Sequence, residues 1–180
     1  SQNFLISVGS KASQPRGFET NGANIITSDE IFELTQIPQK LIIIGCGVIG
    51  IEYASMFAKM GVKVTVVDGR KRPLEFLDAE IVDELVQQMR HIGVTFCLGE
   101  GVKNAARDED ETQGVIVLTT SGRRLYADLA IVCAGRIGAT EKLALDKVGL
   151  ETDNRFRLNV SSSFQTNTPH IYAAGDVIGS

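Results

Sequence analysis

The sequence has few of the residues that build disulfide frameworks and metal sites. Its three cysteines, Cys46, Cys97 and Cys133, stand far apart, and each lies in or beside an apolar run. A disulfide framework or a metal cage would need paired or closely spaced ligands, such as C-x-x-C. The two histidines, His91 and His170, have no ligand-spaced neighbours. We therefore expect buried, unreactive thiols in a reducing cytoplasm, and no metal site.

Long apolar runs and an excess of basic residues are also absent. No apolar run approaches the roughly 20 residues that a membrane-spanning helix needs. The net charge of −4 and the isoelectric point of about 5.2 leave no basic surface for nucleic acid or an anionic membrane. We expect neither as a partner. The chain does not begin with Met, and its first residues read as a strand, so both ends look like cuts in a longer protein.

What the sequence does contain is an alternation of apolar strands and helices, within a length that supports one core. Strands that are apolar along their whole length and alternate with helices indicate a parallel sheet covered on both faces. A Ser-Gly turn at 121–122 further predicts a β-meander before the last core strand. The fold class is therefore α/β. The predicted strands are 40–44, 63–67, 94–98, 115–119, 125–127 and 129–133, and the predicted helices are 48–60 and 78–92.

The remaining segments are predicted with less regular structure. We expect a short strand at 4–8, a loop of turn-forming residues at 9–24 and a solvated loop at 107–111. Thr27 and Glu30 have the spacing of a capping box, which predicts a short helix that Pro38 ends. In the second long helix, Ile81, Leu85 and Met89 are predicted to face the core.

The stretch "LIIIGCGVIGIEYASMF" (41–57) contains three glycines, Gly45, Gly47 and Gly50, with the spacing G-x-G-x-x-G. A strand precedes them, a helix follows, and Asp68 ends the next strand, which is the context of a dinucleotide-binding loop. In such a loop the first glycine allows a tight turn, the second lets backbone approach a pyrophosphate, and the third lets the helix pack closely. The phosphates would lie at the helix N-terminus. The alternative interpretation is a strand–helix turn that is merely tightly packed.

The residues after the second strand leave the choice between NAD and NADP open. A carboxylate at Asp68 favours an unphosphorylated ribose 2′-hydroxyl, whereas the guanidinium groups of Arg70 and Arg72 would attract a 2′-phosphate. One alternative is preference for NAD with a solvated basic turn. The other is tolerance of both nucleotides, with Asp68 turned aside when the phosphate arrives. Glu52 is either a carboxylate near a helix N-terminus or a neighbour of the redox end of the cofactor.

With these motifs, the chain resembles the NAD(P)-binding domain of the FAD-dependent pyridine nucleotide-disulfide oxidoreductase family over almost its whole length. "SVGS" (7–10) is similar to the family's A-T-G-S turn, and "VIGIEYASMF" to the stretch that carries a Glu beside the nicotinamide. "IVCAGRIGAT" resembles the A-x-G-R turn, and "TNTPHIYAAGDVIG" the Gly-Asp motif whose Asp contacts FAD. Within the family, the chain looks most like the soluble pyridine nucleotide transhydrogenases. The resemblance implies a Rossmann-like three-layer domain with a parallel sheet, helices and a β-meander crossover.

The resemblance also implies a set of cofactor-binding residues, none of them catalytic and none binding a metal. They comprise a phosphate loop, a nicotinamide contact, an adenosine ribose site, an adenine contact, a nicotinamide ribose contact and an FAD contact. The phosphate loop would consist of Gly45, Gly47, Val48, Ile49 and Gly50, the nicotinamide contact would be Glu52, and the adenosine ribose site would consist of Asp68, Arg70 and Arg72. Val102 would contact the adenine, Gly135 the nicotinamide ribose, and Asp176 the FAD.

The division of the chain that follows from the resemblance has three parts. Residues 1–38 would be a border segment and connector from the FAD domain, 39–160 the NAD(P)-binding domain, and 161–180 the return segment into the FAD domain. The partners would be nicotinamide dinucleotides and the rest of the protein's own FAD and interface domains, in a cytoplasmic homo-oligomer. By itself the piece is expected to bind a nicotinamide nucleotide, to retain no FAD and to be catalytically silent.

The implied reaction of the whole protein is hydride transfer from NADPH to NAD⁺ through FAD. Two alternatives stay open. The protein could be a dihydrolipoyl dehydrogenase, a mercuric reductase or a related disulfide reductase, which a C-x4-C pair upstream would decide. It could instead be a stand-alone NAD(P)-binding redox sensor, which sub-micromolar affinity without a flavin would support.

Overall fold

The computed structural model describes residues 1–108 and 114–179. Contacts between residues divide the chain into two compact units, which we call the central unit (Gln14–Gly135) and the terminal unit (Ser1–Ser13 with Arg136–Ser180). The larger part of the loop predicted at 107–111 lies outside the described residues. Within the described ranges, no helix is both long and apolar enough to cross a membrane.

Within residues 1–108 and 114–179, the regular elements are short strands, two α-helices and three single-turn 3₁₀ helices. The strands are β1 (Phe4–Ile6), β2 (Ser10–Ala12), β3 (Ile25–Thr27), β4 (Lys40–Ile44), β5 (Lys63–Asp68), β6 (Thr95–Leu98), β7 (Val102–Arg107), β8 (Val115–Thr119), β9 (Arg124–Ala127), β10 (Leu129–Val132), β11 (Arg136–Gly138) and β12 (Ile171–Ala173). The helices are α1 (Val48–Lys59) and α2 (Ala79–His91), and the 3₁₀ turns are Glu30–Glu33, Leu145–Val148 and Gly175–Val177.

The central unit is built on a five-stranded sheet in the order β3-β10-β4-β5-β6. Every neighbouring pair in it is parallel. Successive residues of a strand point to opposite faces, and β4 uses both. Ile43 belongs to the apolar cluster under α1 and α2, whereas Ile42 and Ile44 belong to the cluster under β7, β8 and β9. The helices, the sheet and the meander therefore form three layers, which confirms the predicted Rossmann-like fold class with a β-meander crossover.

The predicted core elements are confirmed with small shifts at their ends. Helix α2 begins after Asp78, whose side chain accepts a hydrogen bond of 2.9 Å from the Glu80 amide, as an N-cap does. Of the face predicted for this helix, Met89 is buried and Leu85 packs partly buried against the core, whereas the placement of Ile81 was wrong. Val82, Val86 and Met89 are buried, whereas Ile81 is 65% exposed. Both stripes have helical spacing and share Met89, so only packing against the sheet selects between them.

The N-terminal third departs most from prediction. The predicted loop at 9–24 contains β2, and the predicted helix after Thr27 forms only the turn Glu30–Glu33. The capping contact does form, since the Glu30 carboxylate accepts hydrogen bonds from the Thr27 amide at 2.6 Å and from its hydroxyl at 2.8 Å. Strand β3, which was not predicted, pairs instead with the distant β10. No residue of this turn is buried and Phe32 is 89% exposed, so a longer helix here would bury little apolar surface.

The terminal unit has a small core of its own. Strands β1 and β12 pair in parallel, and β2 and β11 pair antiparallel. Leu150, Leu158 and Ile171 are among its buried residues. Its bounds differ from those of the predicted segments, because residues 14–38 cluster with the central unit and 136–160 with the terminal unit. The assignment of the segments to an FAD domain stays a prediction.

Candidate functional site

The order in which the chain adds strands to the parallel sheet reverses at β4, in the middle of the sheet. Helix α1 leads outward from β4 to β5, whereas the meander returns the chain to β10 on the other side of β4. A crevice opens outside the carboxyl ends of the strands at such a switch point, and ligands of α/β sheets bind there. The glycine loop follows β4 at this edge, and Asp68 is the last residue of β5.

Two of the three glycines are required by the chain's own packing. Gly45 has φ +114°, and a Cβ there would collide with the Cys133 carbonyl oxygen. At Gly50 a Cβ would collide with the Gly45 carbonyl oxygen and lie 3.3 Å from Ile43 Cγ2. The turn and the close approach of α1 to the sheet therefore depend on these two positions.

Gly47 is different, because nothing in the protein's packing demands a glycine there. Its φ of −73° is accessible to any residue, and the nearest atom to a Cβ built on it is Arg70 Nη2, at 4.0 Å. No side chain of the described residues caps the helix that Gly47 starts. The amides of Val48, Ile49 and Gly50 precede the first α-helical hydrogen bond, from the Ile51 amide to the Gly47 carbonyl at 3.0 Å. The free amides at the N-terminus of α1 thus face a space in which an anionic group could bind.

Asp68 joins this loop to the adjacent turn. Its Oδ2 accepts a hydrogen bond from the Cys46 amide at 2.7 Å and from Arg70 Nη2 at 2.6 Å. Its Oδ1 accepts from the Arg70 amide at 2.8 Å and from Arg70 Nε at 3.0 Å. Burial alone would raise the pKa of Asp68, but the hydrogen bonds from Arg70 and Cys46 outweigh burial and lower it to about 2. The carboxylate is therefore ionised at neutral pH, and its hydrogen bond raises the pKa of Arg70.

The structure brings Asp68 and Arg70 together but holds Arg72 elsewhere. The Arg72 guanidinium lies against Asp83 of α2, with Nε 3.2 Å from Oδ1 and Nη2 3.3 Å from Oδ2. Of the three residues predicted at the adenosine ribose, two thus form one cluster, and the third is paired with a helix.

The other predicted residues of the central unit are spread along the same sheet edge. Glu52 is exposed in the second turn of α1. Val102 begins β7 after a turn tied to the end of β5, because the Glu100 amide donates to the Asp68 carbonyl at 3.1 Å. Gly135, with φ +102°, follows β10. These positions are compatible with the predicted contacts, which remain predictions.

The cysteines are buried and unpaired, as the sequence predicts. Burial, together with Asp68, raises the pKa of the Cys46 thiol to about 12, and burial raises that of Cys133 to about 12. Both thiols are therefore protonated at neutral pH and poor nucleophiles. Among residues 1–108 and 114–179, no group of three or more His, Cys, Asp or Glu side chains is arranged to hold a metal ion.

The terminal unit contains a cavity of about 400 Å³ around Asp176. Asp176 Oδ2 accepts a hydrogen bond of 3.0 Å from the Ser10 hydroxyl. Arg136 Nε donates to that hydroxyl at 2.8 Å, and its Nη2 donates to the Ser10 carbonyl at 2.7 Å. Arg155 and Arg157 also line the cavity. The cavity is thus polar and cationic.

Sequence reasoning predicted Asp176 here and missed the arginines. Arg136 is the arginine of the A-x-G-R turn, so a signal for it was available. Arg155 and Arg157 lie in "DNRFRL", which has no local signature of a binding site. The Asp153 carboxylate positions them by accepting hydrogen bonds from the Arg155 amide at 2.8 Å and Arg157 Nε at 2.9 Å.

Comparison with known proteins identifies relatives along the whole chain. The family described as pyridine nucleotide-disulphide oxidoreductase matches residues 1–180. A soluble pyridine nucleotide transhydrogenase of Chromohalobacter salexigens is 44% identical over 178 residues, which cover 99% of this chain and 38% of the relative. One from Mycobacterium tuberculosis is 41% identical over 176 residues, covering 98% and 37%. The solved structure of the HOCl-induced flavoprotein disulfide reductase RclA from Escherichia coli is similar with a TM-score of 0.88 and 29% identity, covering 97% of this chain and 40% of that one.

These matches confirm the family resemblance predicted from the motifs, including the likeness to soluble transhydrogenases. The chain spans only about two fifths of the length of the relatives that it matches.

Proposed function

Because the chain belongs to the pyridine nucleotide-disulphide oxidoreductase family, we propose that its central unit binds the nicotinamide nucleotide of a soluble NAD(P) transhydrogenase. One observation carries the proposal: at Gly47, uncapped amides of α1 face a space whose nearest atom belongs to the exposed Arg70 side chain, beside the ionised Asp68 carboxylate. A nicotinamide dinucleotide presents a pyrophosphate next to a ribose diol, which are the groups that these two features suit.

Each residue predicted at this site receives a role in the proposal. The amides of Val48, Ile49 and Gly50 would hold the pyrophosphate, and Asp68 would accept hydrogen bonds from the adenosine ribose. Val102 would lie beside the adenine, Gly135 beside the nicotinamide ribose, and Glu52 would accept from the nicotinamide amide. Arg70 and Arg72 would form ion pairs with a ribose 2′-phosphate. Together these contacts orient the nicotinamide, so the contribution of the central unit to catalysis would be proximity.

The terminal unit has a cavity that fits a flavin dinucleotide's polar groups. Asp176 and Ser10 offer hydrogen-bonding oxygens for hydroxyl groups, and the arginines of the cavity offer positive charge for phosphate. In the proposed reaction, bound FAD supplies the centre that receives hydride from NADPH and delivers it to NAD⁺. Hydride transfer requires no acid–base residue of this chain. On this basis we assign to the FAD domain those parts of the predicted border segments that lie in the terminal unit, residues 1–13 and 161–180, whereas residues 14–38 cluster with the central unit.

The proposal extends to the chain's partners and its activity in isolation. Its partners would be the remaining FAD and interface domains of its own protein, in a cytoplasmic homo-oligomer with no nucleic acid or membrane bound. The unpaired cysteines and the word "soluble" in the relatives' names support the cytoplasmic assignment. Since the chain spans 37–38% of those relatives, we expect it to bind nucleotide without catalysing transfer or retaining FAD.

A disulfide reductase is the second candidate, since RclA, named as a flavoprotein disulfide reductase, is a close structural neighbour. A C-x4-C pair encoded upstream of this segment would select that candidate. Its absence from the whole protein would select the transhydrogenase.

The nucleotide site is tested by titrating the 180-residue chain with NADH and NADPH and measuring bound nucleotide by calorimetry. We expect saturable binding with one site, weakened about tenfold or more by Gly47→Ala. The added methyl group fills space that the protein's own packing leaves free, so the thermal midpoint should move by no more than about 2 °C. Absence of binding by the unaltered chain at millimolar nucleotide would refute the proposal. A flavin absorbance band near full occupancy in the purified chain would refute the expected loss of FAD.

A further inference from the structure

We propose that Arg70 blocks the nucleotide crevice from within and thereby sets the balance between NADH and NADPH. This inference rests on the proposed function and deepens it. In the protein without nucleotide, the Arg70 guanidinium takes the place that a ribose would need on Asp68. Any dinucleotide must displace it, and a 2′-phosphate offers the displaced guanidinium a partner beside the ribose that NADH lacks.

The first observation is that the Asp68 carboxylate has no acceptor site left. A carboxylate offers about four lone-pair sites. Arg70 fills three of them, with its amide and Nε on Oδ1 and its Nη2 on Oδ2. The Cys46 amide fills the fourth, at 2.7 Å from Oδ2. A ribose diol can therefore hydrogen-bond to Asp68 only after the guanidinium leaves.

The second observation is where the guanidinium lies. Arg70 Nη2 is the nearest atom to a Cβ built on Gly47, at 4.0 Å. The same nitrogen is 2.6 Å from Asp68 Oδ2. The guanidinium thus spans the space between the phosphate loop and the carboxylate, which is the space that the dinucleotide would enter.

The third observation is that Arg70 can leave at modest cost. Its side chain is 41% exposed, whereas that of Asp68 is 11% exposed. A ribose diol would donate to the lone pairs of Asp68 that the departing guanidinium leaves, so the net barrier is a factor of a few in affinity rather than an absolute block. A guanidinium released beside the ribose can form charge-assisted hydrogen bonds with a 2′-phosphate. NADPH therefore recovers the lost pair, and NADH does not.

Arg72 is a weaker candidate for this role because Asp83 already engages it. Lys71 stands between the two arginines and serves as a matched control. It carries the same charge in the same turn, and its Cγ lies 3.9 Å from a Cβ built on Gly99, which is not one of the predicted site residues.

The experiment compares Arg70→Ala with Lys71→Ala in the 180-residue chain, with NADH and NADPH titrated separately by calorimetry. For Arg70→Ala we expect the NADH dissociation constant to fall about threefold to tenfold and the NADPH constant to rise by a similar factor. Lys71→Ala, which removes the same charge, should change the ratio of the two constants by less than about twofold.

Two results overturn the inference. Equal weakening of both nucleotides by Arg70→Ala would make Arg70 a pyrophosphate ligand, and unchanged constants would make its place in the crevice irrelevant to binding. Both results require that the unaltered chain binds nucleotide. If the unaltered chain binds neither nucleotide, the proposed function itself fails. A thermal midpoint within about 2 °C of the unaltered chain verifies that each variant is folded.

Discussion

The crevice of the central unit is formed mostly by backbone groups, and the cavity of the terminal unit mostly by side chains. The crevice is made mostly of backbone, namely glycines without side chains and helix amides that follow the buried strand β4. The cavity is made mostly of side chains, with Arg136, Ser10 and Asp176 linked by hydrogen bonds. In the crevice, Gly45 and Gly50 cannot be changed without disturbing the layers that hold them, whereas the side chains of the cavity can be exchanged around an unchanged frame.

The supports of the two sites differ in the same way. The glycine loop is fixed by the sheet, because the Gly45 amide donates to the Val67 carbonyl at 2.9 Å. Two of the cavity arginines, Arg155 and Arg157, are carried by a surface turn around Asp153, in which Phe156 has a positive φ of +57°. We therefore expect substitutions at Gly45 and Gly50, which the packing of the crevice requires, to change stability strongly, and substitutions near the cavity to change it little.

The largest expected effect comes from Gly50→Ala. Its methyl group would collide with the Gly45 carbonyl oxygen and press on Ile43 Cγ2, which lies 3.3 Å from the Cβ position. Because both neighbours belong to the core of the sheet, we expect a loss of about 3 kcal/mol in the free energy of unfolding. Urea denaturation followed by circular dichroism measures it.

Gly47→Ala is the matched comparison, since it adds the same methyl group three residues earlier in the same motif. It should change the free energy of unfolding by less than about 0.5 kcal/mol while weakening nucleotide binding. Similar destabilisation by both variants would mean that the loop is one packed unit without a separate ligand-facing side.

A smaller effect is expected from Asp68→Asn, measured as stability against pH. Burial raises the pKa of Asp68, but the hydrogen bonds from Arg70 and Cys46 bring it from an ordinary value of 3.8 to about 2. A carboxyl whose pKa is lower in the folded state stabilises the fold above its unfolded pKa. That contribution, about 2 kcal/mol, is lost as the pH falls through the folded value.

The variant should therefore be less stable than the unaltered chain by roughly that amount at pH 7. The difference should shrink between about pH 4 and pH 2. A difference that stays constant down to pH 2 would show that the Arg70 pair contributes nothing through the charge of Asp68.

The two regions also differ in how far the sequence predicts them. The strand, the glycine spacing and Asp68 lie within one stretch of chain, so local patterns predict the crevice from chemistry alone. Only the side-chain pairing escapes prediction, because Arg70 and Arg72 have the same local signal and the position of Asp83 on α2 decides between them. Asp176 and Ser10, 166 residues apart, meet only through the fold. No spacing rule predicts that contact, and Asp176 was predicted solely through the family resemblance.

The errors of fold prediction also arise where contacts between distant parts of the chain decide the structure. Strand β3 is three residues long and is formed by pairing with β10, about a hundred residues later in the chain. The capping-box contact between Thr27 and Glu30 is real, but a local helix signal does not extend the turn where a longer helix would bury little apolar surface. Long apolar segments such as β4 and α1 were predicted well because their local pattern and their tertiary packing agree.

The smallest expected effect concerns the turn that carries the cavity arginines. Phe156 is 44% exposed and has φ +57°, so its side chain gains little from burial while its Cβ strains the backbone. Relieving this strain is worth about 1 kcal/mol per residue. Phe156→Gly should therefore be more stable than Phe156→Ala by about that amount, since both lose the ring and only glycine loses the Cβ. Thermal unfolding of the two variants measures the difference. If Phe156→Ala proves as stable as Phe156→Gly, the turn relaxes without penalty. The side chains of Arg155 and Arg157 then have no fixed backbone frame.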